Sequence, residues 1–258
     1  MKPLSAQRAN NFAGRVIEMR FPTLTAFRGV AALVVIVYHA RNFFGAPLEE
    51  WAKSVDAWFG QAFIAVDFFF VLSGFVLTHG YAFKENLTFK QFAISRTFRI
   101  FPLHIAMLLV FLVLEIGKFV AEQYGFHFNS GVFSGPTTLI EIIPNLFLLQ
   151  SWTNYTVESF NIPSWSLSVE YYVYMLFFAT LFVKGGVRSV LWLGIVMIVT
   201  YLVLNNIALL TGSVERGLYS FFIGTLTYLL YKNMKNYMIK IPPYVFTFVE
   251  LACVMLVI

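Results

Sequence analysis

Charged residues are scarce in this sequence. Asp, Glu, Lys and Arg make up only 12% of its 258 residues, against about 25% in an average soluble domain. Hydrophobic residues make up 59%, so no region is polar enough for a sizeable soluble domain. The composition therefore indicates a membrane protein, and its long apolar segments predict an all-α, polytopic bundle of transmembrane helices that contacts the lipid bilayer.

Cysteine is almost absent as well: the single residue, Cys253, excludes an intramolecular disulfide. The net charge of +5 does not indicate a nucleic-acid partner, because the Lys and Arg residues lie between apolar segments and form no basic run interleaved with aromatic residues. The sequence has no G-x-S-x-G elbow, H-E-x-x-H pair, Walker loop or dinucleotide-binding glycine pattern. A metal site or a serine hydrolase is therefore unsupported.

The apolar segments predict about seven spans. Segments of spanning length occur at about 26–44, 62–81, 100–117, 165–183 and 189–210, with a shorter one at 217–231 and a last one at 244–258. This last segment stops without a polar flank, so we expect the membrane domain, residues 21–258, to be incomplete at its carboxyl end. Residues 139–150 are short and contain Pro144, which predicts a re-entrant or interfacial helix rather than a crossing.

The basic residues predict the orientation. Lys and Arg exceed Asp and Glu in segments 1–20, 82–99, 184–188 and 232–243, whereas the alternate connections are balanced or acidic. Since cytoplasmic loops carry the excess of positive charge, we expect the N-terminal tail, residues 1–20, to be cytoplasmic.

Ionisable residues inside the apolar segments are the candidate functional groups. His39 follows Arg28 by eleven residues, which is about three helical turns, so both are predicted on one helix face about 16 Å apart. Asp67 and Glu170 are expected at a depth similar to that of His39. A His beside a carboxylate is suited to taking up and returning a proton. The alternatives are that His39 forms a structural hydrogen bond between helices and that Asp67 caps a helix or faces water.

Arginines near the third span are candidates for anion binding. Arg96 and Arg99 stand three residues apart, and with Arg28 they could hold a polyphosphate by charge-assisted hydrogen bonds. The alternative is that these arginines bind no ligand and only belong to the excess of positive charge that membrane proteins carry on the cytoplasmic side. Ser73 and Gly74 are small residues for which close helix packing is the favoured role.

Four ordered motifs resemble those of a known family. FRGVAALVVIVYH, VDFFFVLSGF, SRTFRIFP and IPSWSLSVEYYVY occur in an order and spacing similar to those of integral membrane acyltransferase family 3. The resemblance is close over about residues 21–183. It implies an enzyme that acylates a hydroxyl group of cell-surface or exported glycans in the bacterial inner membrane.

The resemblance also implies roles for individual residues. His39 is then the catalytic histidine, Arg28 the arginine of the first motif, and Arg96 and Arg99 contact the acyl donor. Ser73, Trp165, Ser166 and Glu170 fall within the remaining motifs. We expect acyl-CoA, in particular acetyl-CoA, as the donor substrate, a glycan or glycolipid as the acceptor, and no permanently bound cofactor or metal.

These residues are also compatible with other functions. A proton-coupled transporter or flippase could use His39, Asp67 and Glu170 as a proton relay, although the sequence shows no paired broken helices. An inactive, truncated remnant is the third alternative. The sequence does not specify the acceptor, the acyl group or the oligomeric state.

Overall fold

A computed structural model describes residues 22–40, 63–84, 87–153 and 159–238. Within these ranges every regular element is helical and no strand occurs, which confirms the all-α prediction. The α-helices are α1 (Pro22–Ala40), α2 (Phe63–Tyr81), α3 (Phe89–Gln123), α4 (Ile142–Leu146), α5 (Trp165–Thr180), α6 (Gly185–Leu204) and α7 (Gly212–Met238). Short 3₁₀ helices between α3 and α5 cover Gly135–Thr137, Leu139–Glu141 and Ile162–Ser164.

The chain divides into two compact units, residues 1–65 and 66–258. Helix α1, with Arg28 and His39, belongs to the first unit. The second unit contains nearly all of α2 and every described helix that follows it.

Three of the described helices are long and apolar enough to cross a membrane: residues 64–81 of α2, all of α3 and all of α6. Helix α4 has only five residues, far fewer than the roughly 20 needed for a span, so the prediction that 139–150 does not cross agrees with the helix length. The last predicted span, 244–258, lies outside the described residues.

Helix α3 is much longer than the predicted span of 100–117. It has 35 residues, Phe89 to Gln123, and is therefore about 52 Å long at 1.5 Å per residue. Hydropathy marks only the apolar part of this segment, whereas the helix begins after Thr88, which accepts a hydrogen bond from the Gln91 amide. The extra turns place Arg96 and Arg99 within the helix.

Aromatic and β-branched side chains of α5, α6 and α7 form the core of the second unit. Val169, Val173 and Phe177 recur at four-residue spacing on one face of α5 and are fully buried. The Phe177 ring stacks on Trp192 of α6 at 5.9 Å and meets Phe221 of α7 edge to face at 5.6 Å. This packing fixes the rotation of α5 and therefore the direction in which its polar residues point.

Two glycines allow α2 and α7 to approach closely. A Cβ added to Gly74 would lie 2.0 Å from the carbonyl oxygen of Phe221, and one added to Gly224 would lie 2.0 Å from the carbonyl oxygen of Val71. Any side chain at these positions would force the two backbones apart. The close crossing brings the neighbouring Ser73 into the interior, where it is buried.

Candidate active site

Glu170 lies within a small cluster of hydroxyl groups inside the second unit. The Tyr174 hydroxyl, one turn further along α5, donates a hydrogen bond to Glu170 Oε1. Ser73 Oγ of α2 donates to the same oxygen at 3.4 Å, and the two hydroxyl oxygens are 3.2 Å apart. Tyr174 and Ser73 are both buried. Among the described residues, no donor contacts the second oxygen, Oε2. Glu170 is therefore held through Oε1, and Oε2 can still accept a hydrogen bond.

Asp67 is engaged in a different way. Both of its carboxylate oxygens accept hydrogen bonds from Arg216 of α7, at 3.2 Å from Nε and 3.1 Å from a terminal nitrogen. This planar, bidentate pairing matches the two flat groups edge to edge. The Arg216 guanidinium also lies over the Trp165 ring, 5.4 Å from its centre. The ion pair therefore connects the beginnings of α2, α5 and α7.

The two carboxylates have different partners. Asp67 is bound by Arg216, which lies over Trp165, whereas Glu170 is bound by Ser73 and Tyr174. Six residues separate Asp67 from Ser73 on α2, which is about 9 Å along the helix axis. The predicted similar depth of Asp67 and Glu170 in the membrane stays a prediction.

Arg96 points into the bundle from α3. Its guanidinium carbon lies 5.6 to 5.8 Å from the centres of the Tyr81, Phe92 and Tyr174 rings, distances at which a cation is attracted by aromatic rings. One terminal nitrogen donates to the Tyr81 hydroxyl at 3.0 Å. Arg99 is exposed instead. The two arginines of the motif therefore have different surroundings.

Serines of the IPSWSLS motif attach the preceding loop to α5. Ser168 Oγ donates to the Leu148 carbonyl at 2.6 Å and accepts from the Ser151 amide at 3.3 Å. Ser151 Oγ in turn donates to the Trp165 carbonyl at 3.0 Å. Ser166 Oγ donates to the Pro163 carbonyl, three residues earlier. The motif thus fixes the position at which α5 begins, and with it Trp165 and Glu170.

His39 and Arg28 lie on α1, which is helical across the whole stretch between them. Both side chains are half-buried, and the His39 ring meets the neighbouring Tyr38 ring edge to face at 5.3 Å. Residues 41–44, predicted to continue this helix, lie outside the described residues. Since α1 belongs to the first unit, the meeting of His39 with Asp67 or Glu170 stays a prediction.

Sequence reasoning missed Tyr174 and Arg216. The four-residue spacing of Glu170 and Tyr174 puts both on one helix face and could have indicated the contact. Arg216 precedes the predicted apolar run of 217–231 and so falls in a predicted connection, whereas α7 begins at Gly212. No local signal in the sequence could have paired Arg216 with Asp67, which is 149 residues away.

The comparisons with known proteins agree with the motifs. The family described as "Acyltransferase domain" matches residues 21–258. The chain belongs to this acyltransferase family. It is 33% identical over 163 residues to "Acyltransferase MdmB" of Streptomyces mycarofaciens, covering 62% of this chain and 38% of that protein. It is 29% identical over 177 residues to "Peptidoglycan O-acetyltransferase OatA" of Listeria monocytogenes, covering 63% and 24%.

The chain thus spans less than half the length of these relatives. No solved structure matches this chain. The family match favours the acyltransferase interpretation and gives no support to a transporter or a remnant.

Proposed function

We propose that this acyltransferase domain moves an acyl group, in particular acetyl, from acyl-CoA to a hydroxyl group of a cell-surface or exported glycan. The observation that carries the proposal is the cluster around Glu170, in which two buried hydroxyl groups hold a carboxylate and leave one of its oxygens available. The similarity to a protein named as a peptidoglycan O-acetyltransferase supports a glycan acceptor.

In this proposal His39 is the general base. It removes the proton from the acceptor hydroxyl, whose oxygen attacks the carbonyl carbon of the thioester. The carbon–sulfur bond then breaks, the acyl group stays on the acceptor oxygen, and the departing thiolate takes up the proton from His39. General-base catalysis of this kind contributes roughly 10²- to 10⁴-fold.

We assign the carboxylate that acts with His39 to Glu170 rather than to Asp67. Both oxygens of Asp67 are bound by Arg216, so Asp67 holds helices together and has little capacity to orient a histidine. Glu170 retains an acceptor oxygen, and a carboxylate beside a histidine favours the protonated ring that forms during the reaction.

The donor's phosphates need cations that are not already engaged. Arg96 is surrounded by three rings and bonded to Tyr81, so we assign it a positioning role exerted through Tyr174. Arg99 is exposed, and with Arg28 it remains a candidate for contacting the donor. We assign Trp165 and Ser166 a positioning role at the beginning of α5, where the Trp165 ring contacts the guanidinium of Arg216.

Replacing His39 tests the assignment. H39A should lose acyl transfer by about 10²-fold or more while still inserting into membranes, measured as coenzyme A release by the detergent-purified full chain and by mass spectrometry of surface glycans. His127 is an exposed histidine in a loop, so H127A is the matched control and should retain activity. Wild-type activity in H39A would disprove the role of His39.

The same assay separates an enzyme from a proton-coupled transporter. An acyltransferase releases coenzyme A in detergent, where no ion gradient exists. A transporter would show no such release, but would move its substrate in sealed vesicles when a proton gradient is imposed.

We also propose that the domain lies in a bacterial inner membrane with its N-terminus in the cytoplasm. Three described helices are long and apolar enough to cross a membrane, and the excess of Lys and Arg in the basic segments supports this direction. Fluorescent-protein fusions after residue 84 should be bright and alkaline phosphatase fusions there inactive. The opposite pattern would reverse the orientation.

A further inference from the structure

A cavity of about 420 Å³ lies where α2 and α5 end and α6 begins, all within the second unit. This volume falls in the range of about 300–1,000 Å³ typical of small-ligand sites. Its walls combine three cations with aromatic rings; the residues that matter here are Tyr81, Lys84, Phe178, Lys184 and Arg188. We call this cavity the basic pocket.

The cations of the basic pocket have no anionic partner in the described part of the chain. Neither ion pair found there involves Lys84, Lys184 or Arg188. Arg188 is half-buried and is held instead by rings, with its guanidinium 5.4 Å from the centre of Phe83 and 5.3 Å from that of Trp192. A guanidinium held in this way keeps its donors free for an external acceptor.

The backbone adds to the positive character of the basic pocket. Helix α6 begins at Gly185, a lining residue, and no side chain caps its N-terminus. The first amide groups of a helix point outward with a partial positive charge and favour phosphate oxygens. Together with the cations, they predict an anion that carries more than one charge.

A series of side-chain contacts connects the basic pocket with the candidate active site. Tyr81 lines the pocket, and its hydroxyl accepts a hydrogen bond from Arg96. Arg96 in turn contacts the ring of Tyr174, whose hydroxyl donates to Glu170. A ligand in the pocket would therefore lie at the far end of a line of contacts that leads to the proposed catalytic carboxylate.

We propose that the basic pocket binds the phosphate-bearing nucleotide end of the acyl donor, with Lys84, Lys184 and Arg188 on the phosphates and the aromatic walls against the base. This inference rests on the proposed function for its choice of ligand. An anionic lipid headgroup has the same phosphate chemistry, but the aromatic walls and the connection to Arg96 favour a nucleotide. The earlier candidates Arg28 and Arg99 would then contact the donor elsewhere.

Binding of adenosine 3′,5′-bisphosphate to the detergent-purified full chain tests the proposal, because this fragment carries the base and phosphates but no acyl group. Calorimetry should show a Kd about tenfold higher or more in the double variant K184Q/R188Q, since two charge-assisted contacts are lost. R188K keeps the charge and should recover part of the affinity. Lys90 is an exposed cation outside the pocket, so K90Q is the matched control and should bind like the wild type.

The outcomes separate the possible ligands. An unchanged Kd in a double variant with the wild-type thermal midpoint overturns the proposal. It is also overturned if the double variant binds adenosine 3′,5′-bisphosphate like the wild type but retains less phosphatidylglycerol, relative to phosphatidylcholine, in nanodiscs. Transfer from acetyl-CoA is measured on the same samples. Pocket-dependent binding without any transfer would refute the proposed function but not the proposed binding site. Unaffected transfer in K184Q/R188Q would refute the binding site but not the proposed function.

Discussion

The guanidinium of Arg96 lies over the face of Tyr174, 5.8 Å from the ring centre. The hydroxyl at the other end of the same ring donates to Glu170. Tyr174 thus contacts a cation from α3 and a carboxylate on its own helix at the same time. Tyr174 therefore connects Arg96 with Glu170.

Removing the Tyr174 hydroxyl should therefore affect both stability and activity. Y174F leaves Glu170 with Ser73 as its only described donor, and losing a hydrogen bond to a charged group costs about 1.5–3 kcal/mol. We expect a lower thermal midpoint in detergent and at least a tenfold loss of acyl transfer, about 1.4 kcal/mol in the barrier. Tyr201 is exposed on α6, so Y201F is the control. Equal effects of Y174F and Y201F would show that the Tyr174 hydroxyl contributes nothing to the site.

Adding one methyl group at Gly74 should disrupt the packing of α2 against α7. In G74A the new Cβ would lie 2.0 Å from a backbone oxygen, which only a shift of whole helices could relieve, and such overpacking costs about 1–3 kcal/mol or more. In G117A, in the last third of α3, the new Cβ meets nothing within 4 Å. This variant should be neutral or stabilised by about 0.5–1 kcal/mol, because Ala is the better helix former. Thermal midpoints of the two variants in one detergent test this contrast; similar midpoints would mean that the close crossing is absent.

The Asp67–Arg216 pair can be measured by a double-mutant cycle. The Arg216 side chain is 38% exposed and that of Asp67 is 28% exposed, so solvent screens the attraction and we expect a coupling energy of only about 0.5–1 kcal/mol. D67N and R216Q should each lower the thermal midpoint, and the double variant should lose less than their sum. Additive effects would show that the two residues act independently. Activity retained in D67N but lost in E170Q would agree with the choice of Glu170.

Some structural features of this protein could be predicted from its sequence and others could not. The membrane character and the all-helical fold were predictable because apolar composition and helix propensity are local properties. The extent of α3 was only partly predictable: Thr88 and the polar first turns lie outside the apolar run of 100–117, so the helix is longer than that run. Among the site residues, Ser73 and Glu170 come together as one cluster, whereas Asp67 is paired with an arginine that looked like part of a loop.

The sequence by itself determined which segments are helical and apolar and which polar groups they carry, since those properties depend on residues within a few turns of one another. Only the tertiary structure decided the partner of each polar group. Glu170 and Ser73 are 97 residues apart, and Asp67 and Arg216 are 149 apart. Their pairing depends on which helices are neighbours, how close glycines let them come and how far each is offset along its axis. These quantities arise from packing between helices, and no local pattern encodes them.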